Sequence, residues 1–460
     1  MKQKNGFSGQ IGFVLAAAGS AVGVGNLWRF PYLAAKDGGG LFLIIYLVLV
    51  LTVGFTLLTT DIAIGRKTGK SAIYAYQSMR KKWKFLGVIT FLVPVLIMTY
   101  YAVIGGWILK YMTIYIFGSG KDAVADNYFT NFISSSSSVW FGIIFILLTV
   151  IIVYNGVEKG IERVSKFIMP VLLILVIGIA IFSLTLKTTL DDGTVRTGLQ
   201  GLKVYLKPDM SGITVHKFLQ ISLDAMSQLF FSLSVSMGIM ITYGSYVKKD
   251  VNLNKAVSQI EIMDTAVAFL AGMMIIPAVF VFSGLDGMSA GPGLMFVSLP
   301  NVFYRMGFAG RIVGLIFFVL AGFAALTSCI SVLESIVANC MEIFHVDRKK
   351  TTGILSVIYL IATAVIALGY SIFYVEVKLP NGSTGQLLDI MDYISNSFLM
   401  PFISLLSAIM KPSWIAEEME LNGEKFSRKK LYNVMIKYIM PLIMIILFLQ
   451  STGLLNMITK

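Results

Sequence analysis

The chain has 460 residues, 57% of them hydrophobic and only 13% charged, with a formal net charge of +13 and a mean hydropathy of +0.81. That balance leaves too little polar surface for a soluble globule and defines an integral membrane protein. Apolar runs such as 41–58, 139–154 and 169–184 have the length of helical spans, not of short alternating barrel strands.

Eleven spans are predicted in chain order: 10–36, 39–64, 86–117, 139–155, 166–187, 218–246, 257–283, 309–344, 352–373, 386–410 and 434–457. MKQK followed by AAAGSA resembles a cleavable signal peptide. The apolar part runs straight into WRFPYLAA, so a retained first helix is expected. With the N-terminus inside, 23 of the 37 Lys and Arg fall in inner segments. Ten fall in outer ones, half of these in the single long loop 187–217. The positive-inside rule then predicts a multi-pass protein of the inner or plasma membrane with a cytoplasmic N-terminus. This topology accounts for the positive charge without nucleic acid.

Cys329 and Cys340 share one span, so no disulfide framework is implied. His216 and His345 are isolated, and GxSxG, Walker and HExxH motifs are absent. An enzyme is not expected, and any uphill transport would draw on an ion gradient.

Two spans are built to break. GSAVGVG at 19–25 crowds glycines into the first, followed by Asn26, Arg29 and Pro31. SLSVSMG at 232–238 puts a polar middle into the sixth, about 213 residues later. Matching positions five spans apart suggest two five-helix repeats of inverted topology, 10–187 and 218–410, with an eleventh helix at 434–457, all in a single all-α transporter domain. Interrupted helices in corresponding places mark a mid-membrane substrate site. Freed backbone groups are tolerable in hydrocarbon only if they coordinate something. Amides at a half-helix start suit a carboxylate. Freed carbonyls with Asn26, Ser232 and Ser234 oxygens suit sodium. The competing reading is that Gly19 and Gly23 are merely a GxxxG packing stripe.

The run GSAVGVGNLWRFPYLAAKDGGGLFLIIY, with YYAVIGGW (100–107), FFSLSVSMGIMITYGSYVKKD (230–250) and AALTSCISVLES (324–335), resembles the neurotransmitter:sodium symporter family, particularly its bacterial amino-acid transporters. The resemblance implies two sodium ions. The first would take the Ala21 carbonyl, Asn26, Ser232 and Asp264. The second would take the Gly19, Val22 and Ala324 carbonyls with the Thr327 and Ser328 hydroxyls, although back-bonding to the preceding helical turn is the ordinary role of such hydroxyls. The substrate carboxylate would meet the Val24 and Gly25 amides and Tyr101. The ammonium would meet the Ala21 and Phe231 carbonyls and Ser232. Ile97, Tyr101, Phe231, Ser234, Met237 and Val332 would line the side-chain pocket.

Tyr46, Gln228 and Ser232 match positions that hold chloride in chloride-driven members, but Asp264 could supply that charge itself, as direct sodium ligand or as charge substitute. No chloride is therefore expected, and protonation of the carboxylate on the return step would give proton antiport. The resemblance further implies an outer gate of Arg29 and Asp392 and an inner gate of Lys4, Phe7 and Glu342 with Tyr246. It also implies a fifth helix that unwinds between Gly160 and Pro170. Lys4 stands where the family has Arg and loses the bidentate fork, unless it is only a positive-inside lysine.

The expected function is sodium-coupled import of an amino acid by alternating access, with hydrophobic or aromatic substrates favoured and alanine or glycine as the alternative. A channel or a substrate sensor on the same scaffold is the competing class. A channel would carry a polar face along several helices, whereas polarity here is concentrated in spans one, six and eight.

Overall fold

In the computed structural model, which describes residues 6–118, 120–380, 382–410 and 414–454, helices occupy all eleven predicted positions. Among the described residues nine are long and apolar enough to cross a membrane alone: Gly40–Thr68, Lys81–Phe117, Ser136–Tyr154, Val157–Thr185, Leu253–Ser283, Phe308–Phe344, Arg348–Tyr370, Leu387–Met410 and Lys429–Ser451. The first and sixth spans are the exceptions. The first is a bent pair, Gln10–Ala21 and Val24–Lys36, meeting at 59°. The sixth is split into Val215–Ser232 and Ile239–Gly244.

Both breaks have local causes. In the first, the Cβ that any other residue would carry at 25 would sit 2.5 Å from two ring atoms of Phe231. Only glycine lets the two broken spans approach this closely. In the sixth, Ser234 (φ 51°), Ser236 (φ 61°) and Gly238 (φ 75°) take left-handed backbone in alternation, which cannot continue a right-handed helix.

The broken spans form the centre. The first half of span one packs on spans five, seven and eight, and the two halves of span six pack on span two. Spans three and eight run along each other, with spans four and nine outside them. Exposed Ile144, Ile151, Ile174, Ile181 and Leu442 form the apolar outer wall that a bilayer requires. Pro94, Pro170 and Pro277 lie inside helices, tolerated where neighbours re-satisfy the freed backbone.

Two connecting segments are docked rather than free. The loop after span five forms a hairpin, Lys187–Thr189 with Val195–Thr197, then a helix, Gly198–Leu206, opened by a Thr197–Gln200 capping box. That helix lays Gly201 on Pro277, and the Tyr205 hydroxyl donates to the Phe269 carbonyl at 3.1 Å. The connection between spans ten and eleven carries the short helix Ile415–Met419. Its Glu418 is buried beneath Arg66 (2.8 Å), Lys249 (2.8 Å) and Lys67 (4.0 Å). Further along, Arg428 pairs with Glu261 at 2.7 Å and stacks 3.5 Å over the Phe55 ring.

Candidate functional site

The two breaks meet. Val22 and Gly23 lie between the helical halves of span one, and among the described residues no backbone N–H donates to the carbonyls of residues 19–22. Two of them turn instead to side chains: the Ser20 carbonyl accepts from Ser234 Oγ (2.9 Å) and Ser328 Oγ (3.2 Å), and the Gly19 carbonyl from Ser328 Oγ at 3.5 Å. Ser20 and Ser234 hydroxyls also lie 3.3 Å apart. Span eight thus brings Ser328 to the freed end of the first half-helix. Thr327, its neighbour, is bonded back to the Phe323 (3.0 Å) and Ala324 (3.2 Å) carbonyls of its own helix.

Beside this lies a buried carboxylate. Asp264 on span seven is fully buried and accepts from Asn26 Nδ2 at 2.8 Å. Ser232 Oγ stands 2.8 and 2.9 Å from its two oxygens and 3.1 Å from Asn26 Oδ1. Tyr46 adjoins Asp264 and Ser232, and Gln228 Nε2 reaches the Gly25 carbonyl at 3.4 Å. A negative charge in the membrane interior is expensive unless matched. Oxygens from Asn26, Ser232 and Asp264 converge here, the donor set of a small hard cation.

On the other side of the first break, the Val24 amide donates to Tyr101 Oη at 3.4 Å. Ile97 and Tyr101 lie one turn apart on span three, Val332 on span eight, and Met237 in the sixth break, all buried. Phe231 closes against Gly25. The half-helix starting at Val24 thus begins at this apolar enclosure with its first amide on Tyr101, an arrangement that favours an anionic group.

The residues expected to form gates can now be placed where they are described. Arg29 and Asp392 face each other electrostatically without touching. The Arg29 guanidinium donates to Ser227 Oγ at 2.7 Å, while Asp392 accepts from Tyr100 Oη (2.9 Å) and Asn396 Nδ2 (2.6 Å). Asp392 directly precedes a π-helical turn, Tyr393–Leu399. At the other end, Lys4 lies outside the described residues. Glu342 accepts the Ser71 amide at 3.0 Å. Phe7 packs edge-on against Tyr243 and Tyr246, and its amide donates to the Tyr246 carbonyl at 3.3 Å. Gly160 sits in a π-helical turn, Val157–Glu162, and Pro170 inside the following helix Arg163–Thr185, so the segment is wound, with a widened turn at its start.

Sequence reading missed three features. Ser20 bridges the breaks. Asp61, on span two, accepts the Ser236 amide at 2.8 Å and so holds the strained part of the sixth break. Glu334, fully buried, pairs with Arg348 at 2.5 Å and accepts the Tyr246 hydroxyl at 2.6 Å, on the side of Phe7 and Tyr246. Asp61 in GFTLLTTDIAIG and Glu334 in ISVLES were legible as acids within apolar runs.

Two interrupted helices crossing at a buried polar centre define a secondary transporter. The chain belongs to the sodium:neurotransmitter symporter family, whose model matches residues 4–119 and 128–459. It is 34% identical over 462 residues to an uncharacterised sodium-dependent transporter, YhdH, of Bacillus subtilis, covering 98% of both chains. A human sodium- and chloride-dependent GABA transporter 2 is 24% identical over 398 residues, covering 76% of this chain and 64% of that one. Among solved structures, MhsT in complex with L-phenylalanine matches with a TM-score of 0.84 at 36% identity, over 98% of this chain and 100% of the other. The protein is therefore a multi-pass, sodium-dependent symporter, a transporter and not an enzyme.

Proposed function

We propose that the chain imports a hydrophobic or aromatic amino acid together with two sodium ions, independently of chloride. The observation that carries this reading is the cluster of Asp264, Ser232 and Asn26 at the crossing of the breaks. It offers a fixed negative charge where a chloride-driven relative would need an anion, with Tyr46 and Gln228 adjoining it. Asn26, Ser232, Asp264 and the Ala21 carbonyl would hold the first sodium. The Gly19, Val22 and Ala324 carbonyls, Thr327 and Ser328 would hold the second, with Thr327 turning from its present back-bonds.

The substrate carboxylate would be bound by the Val24 and Gly25 amides and Tyr101, the ammonium by the Ala21 and Phe231 carbonyls and Ser232. Ile97, Phe231, Ser234, Met237 and Val332 would enclose the side chain. The apolar character of that enclosure and the phenylalanine bound by MhsT support a large apolar substrate over alanine or glycine. Flexible Met237 suits varied shapes.

Alternating access would close Arg29 toward Asp392 above the site and part Lys4 and Glu342 below it. The turn at Gly160 would unwind toward Pro170 to admit water to the second sodium. This reading takes 10–187 and 218–410 as inverted repeats, with residues 434–457 added, and the N-terminus on the cytoplasmic side of the plasma membrane.

Equilibrium binding of labelled phenylalanine, leucine, alanine and glycine to the purified protein tests it, in sodium gluconate against N-methyl-D-glucamine gluconate. Sodium-dependent binding of phenylalanine or leucine is expected. Binding of alanine or glycine alone would overturn the substrate class.

A further inference from the structure

The loop 187–217 holds five Lys and Arg, against the charge bias of its side of the membrane. Three of them, Arg196, Lys203 and Lys207, line one cavity of about 430 Å³ walled by Val195, Val204 and Phe280. None of the three enters an ion pair among the described residues. Arg196 lies 5.8 Å over the face of the Phe280 ring. Asp192 and Asp209 influence Arg196 and Lys207 electrostatically without forming an ion pair with them among the described residues.

The surrounding surface is apolar in a particular way. The helix Gly198–Leu206 buries Gly198, Gly201 and Tyr205 but leaves Leu199 63% and Leu206 48% exposed. Val195 is exposed beside them. Apolar residues facing outward next to basic side chains are the signature of a helix lying at a membrane surface. Lysine and arginine stems lie along apolar surface while their charged heads seek an anion.

We propose that this cavity binds the anionic headgroup of a phospholipid, the phosphate held by Arg196, Lys203 and Lys207 and the acyl chains laid past Val195, Leu199 and Leu206. A basic cluster with an apolar flank fits a lipid better than a free anion, which would gain nothing from the exposed leucines. Because the helix rests on span seven through Gly201 and Pro277, the lipid would sit against the element that carries Asp264.

The test uses the full chain in vesicles of phosphatidylcholine with about one fifth phosphatidylglycerol, doped with a headgroup photoactivatable phosphatidylglycerol, and peptide mapping of the cross-links. The composition is a choice for the experiment, and each surface cation contributes about fivefold in binding to anionic lipid. Cross-links are expected in residues 194–207. They should fall roughly 25-fold in K203Q/K207Q and about a hundredfold when R196Q is added. K187Q, on the same loop but outside the cavity lining, should leave them unchanged. Both lysines are exposed, so the double variant should fold, and sodium-driven uptake checks that it does. Equal labelling of this segment by a phosphatidylcholine probe, or unchanged labelling in K203Q/K207Q, would overturn the proposal. Loss of labelling on adding inorganic phosphate at about the millimolar level would assign the cavity to free anions instead, since an anchored lipid should resist such competition.

Discussion

Asp264 is the residue on which the coupling argument rests. Its carboxylate is buried among Asn26, Ser232 and Tyr46 with no cationic side chain among its hydrogen-bond partners, so a bound cation is what would balance it. Asp264→Asn keeps the shape and removes the charge. The half-saturating sodium concentration should rise by at least about tenfold, equivalent to about 1.4 kcal/mol, and chloride should then stimulate the variant but not the parent. Sodium titrations of binding in gluconate and chloride check this, and an unchanged sodium affinity would remove Asp264 from the site. Gly25 makes a second prediction. A methyl group there would lie 2.5 Å from two Phe231 ring atoms, and such overpacking costs about 1–3 kcal/mol. Gly25→Ala should weaken substrate binding by about one to two orders of magnitude, read by the same binding assay, while the sodium dependence remains.

At the scale of elements, the segment between spans ten and eleven is more firmly held than its loop position suggests. Glu418 is buried against Arg66, and the Arg66 guanidinium also donates to the Val251 (2.7 Å) and Glu418 carbonyls. Breaking a buried pair by removing one partner costs about 3–5 kcal/mol because the other charge is left uncompensated. Glu418→Gln should therefore lower the Tm of the purified protein clearly, whereas Lys429→Gln, whose partner Glu420 is exposed, should change it little. Burial works against the Glu418 carboxylate, but hydrogen bonds from Lys249 and Arg66 outweigh it and hold its pKa below the ordinary range. A depressed acid stabilises fully above its unfolded pKa of about 4.3, and that contribution is lost as pH falls through the lower folded value. The Glu418 contribution to Tm should be level from about pH 6 upward and shrink on the acid side below about pH 4. A Glu418→Gln variant that melts like the parent at neutral pH would contradict the docking.

At the scale of the molecule, the breaks were legible because their causes are local. Gly19, Gly23 and Gly25, and the serines from 232 to 236, announce backbone that cannot stay helical, and both breaks fall where they were expected. What could not be read was pairing across the fold. Arg66 and Glu418 are 352 residues apart, and each alone looks like an inner-loop charge. Arg29 and Asp392 show the reverse case: a pairing was expected, but the structure holds them apart, on Ser227 and on Tyr100 with Asn396. A gate that must open and close should not be locked by its strongest contact. Asp392→Asn should accordingly slow sodium-driven uptake by an order of magnitude or more while leaving equilibrium substrate affinity within about fivefold, since a solvated pair contributes only about 0–1 kcal/mol. Affinity and rate falling together would place Asp392 in the binding site rather than the gate.

The most direct test of the central claim is uptake of labelled amino acids into proteoliposomes under an inward sodium gradient, with all chloride replaced by gluconate. Concentrative uptake of a hydrophobic or aromatic amino acid is expected, collapsing when the sodium gradient is dissipated and indifferent to chloride. Uptake that requires chloride would contradict the role given to Asp264, and no sodium-driven uptake of any amino acid would contradict amino-acid transport itself.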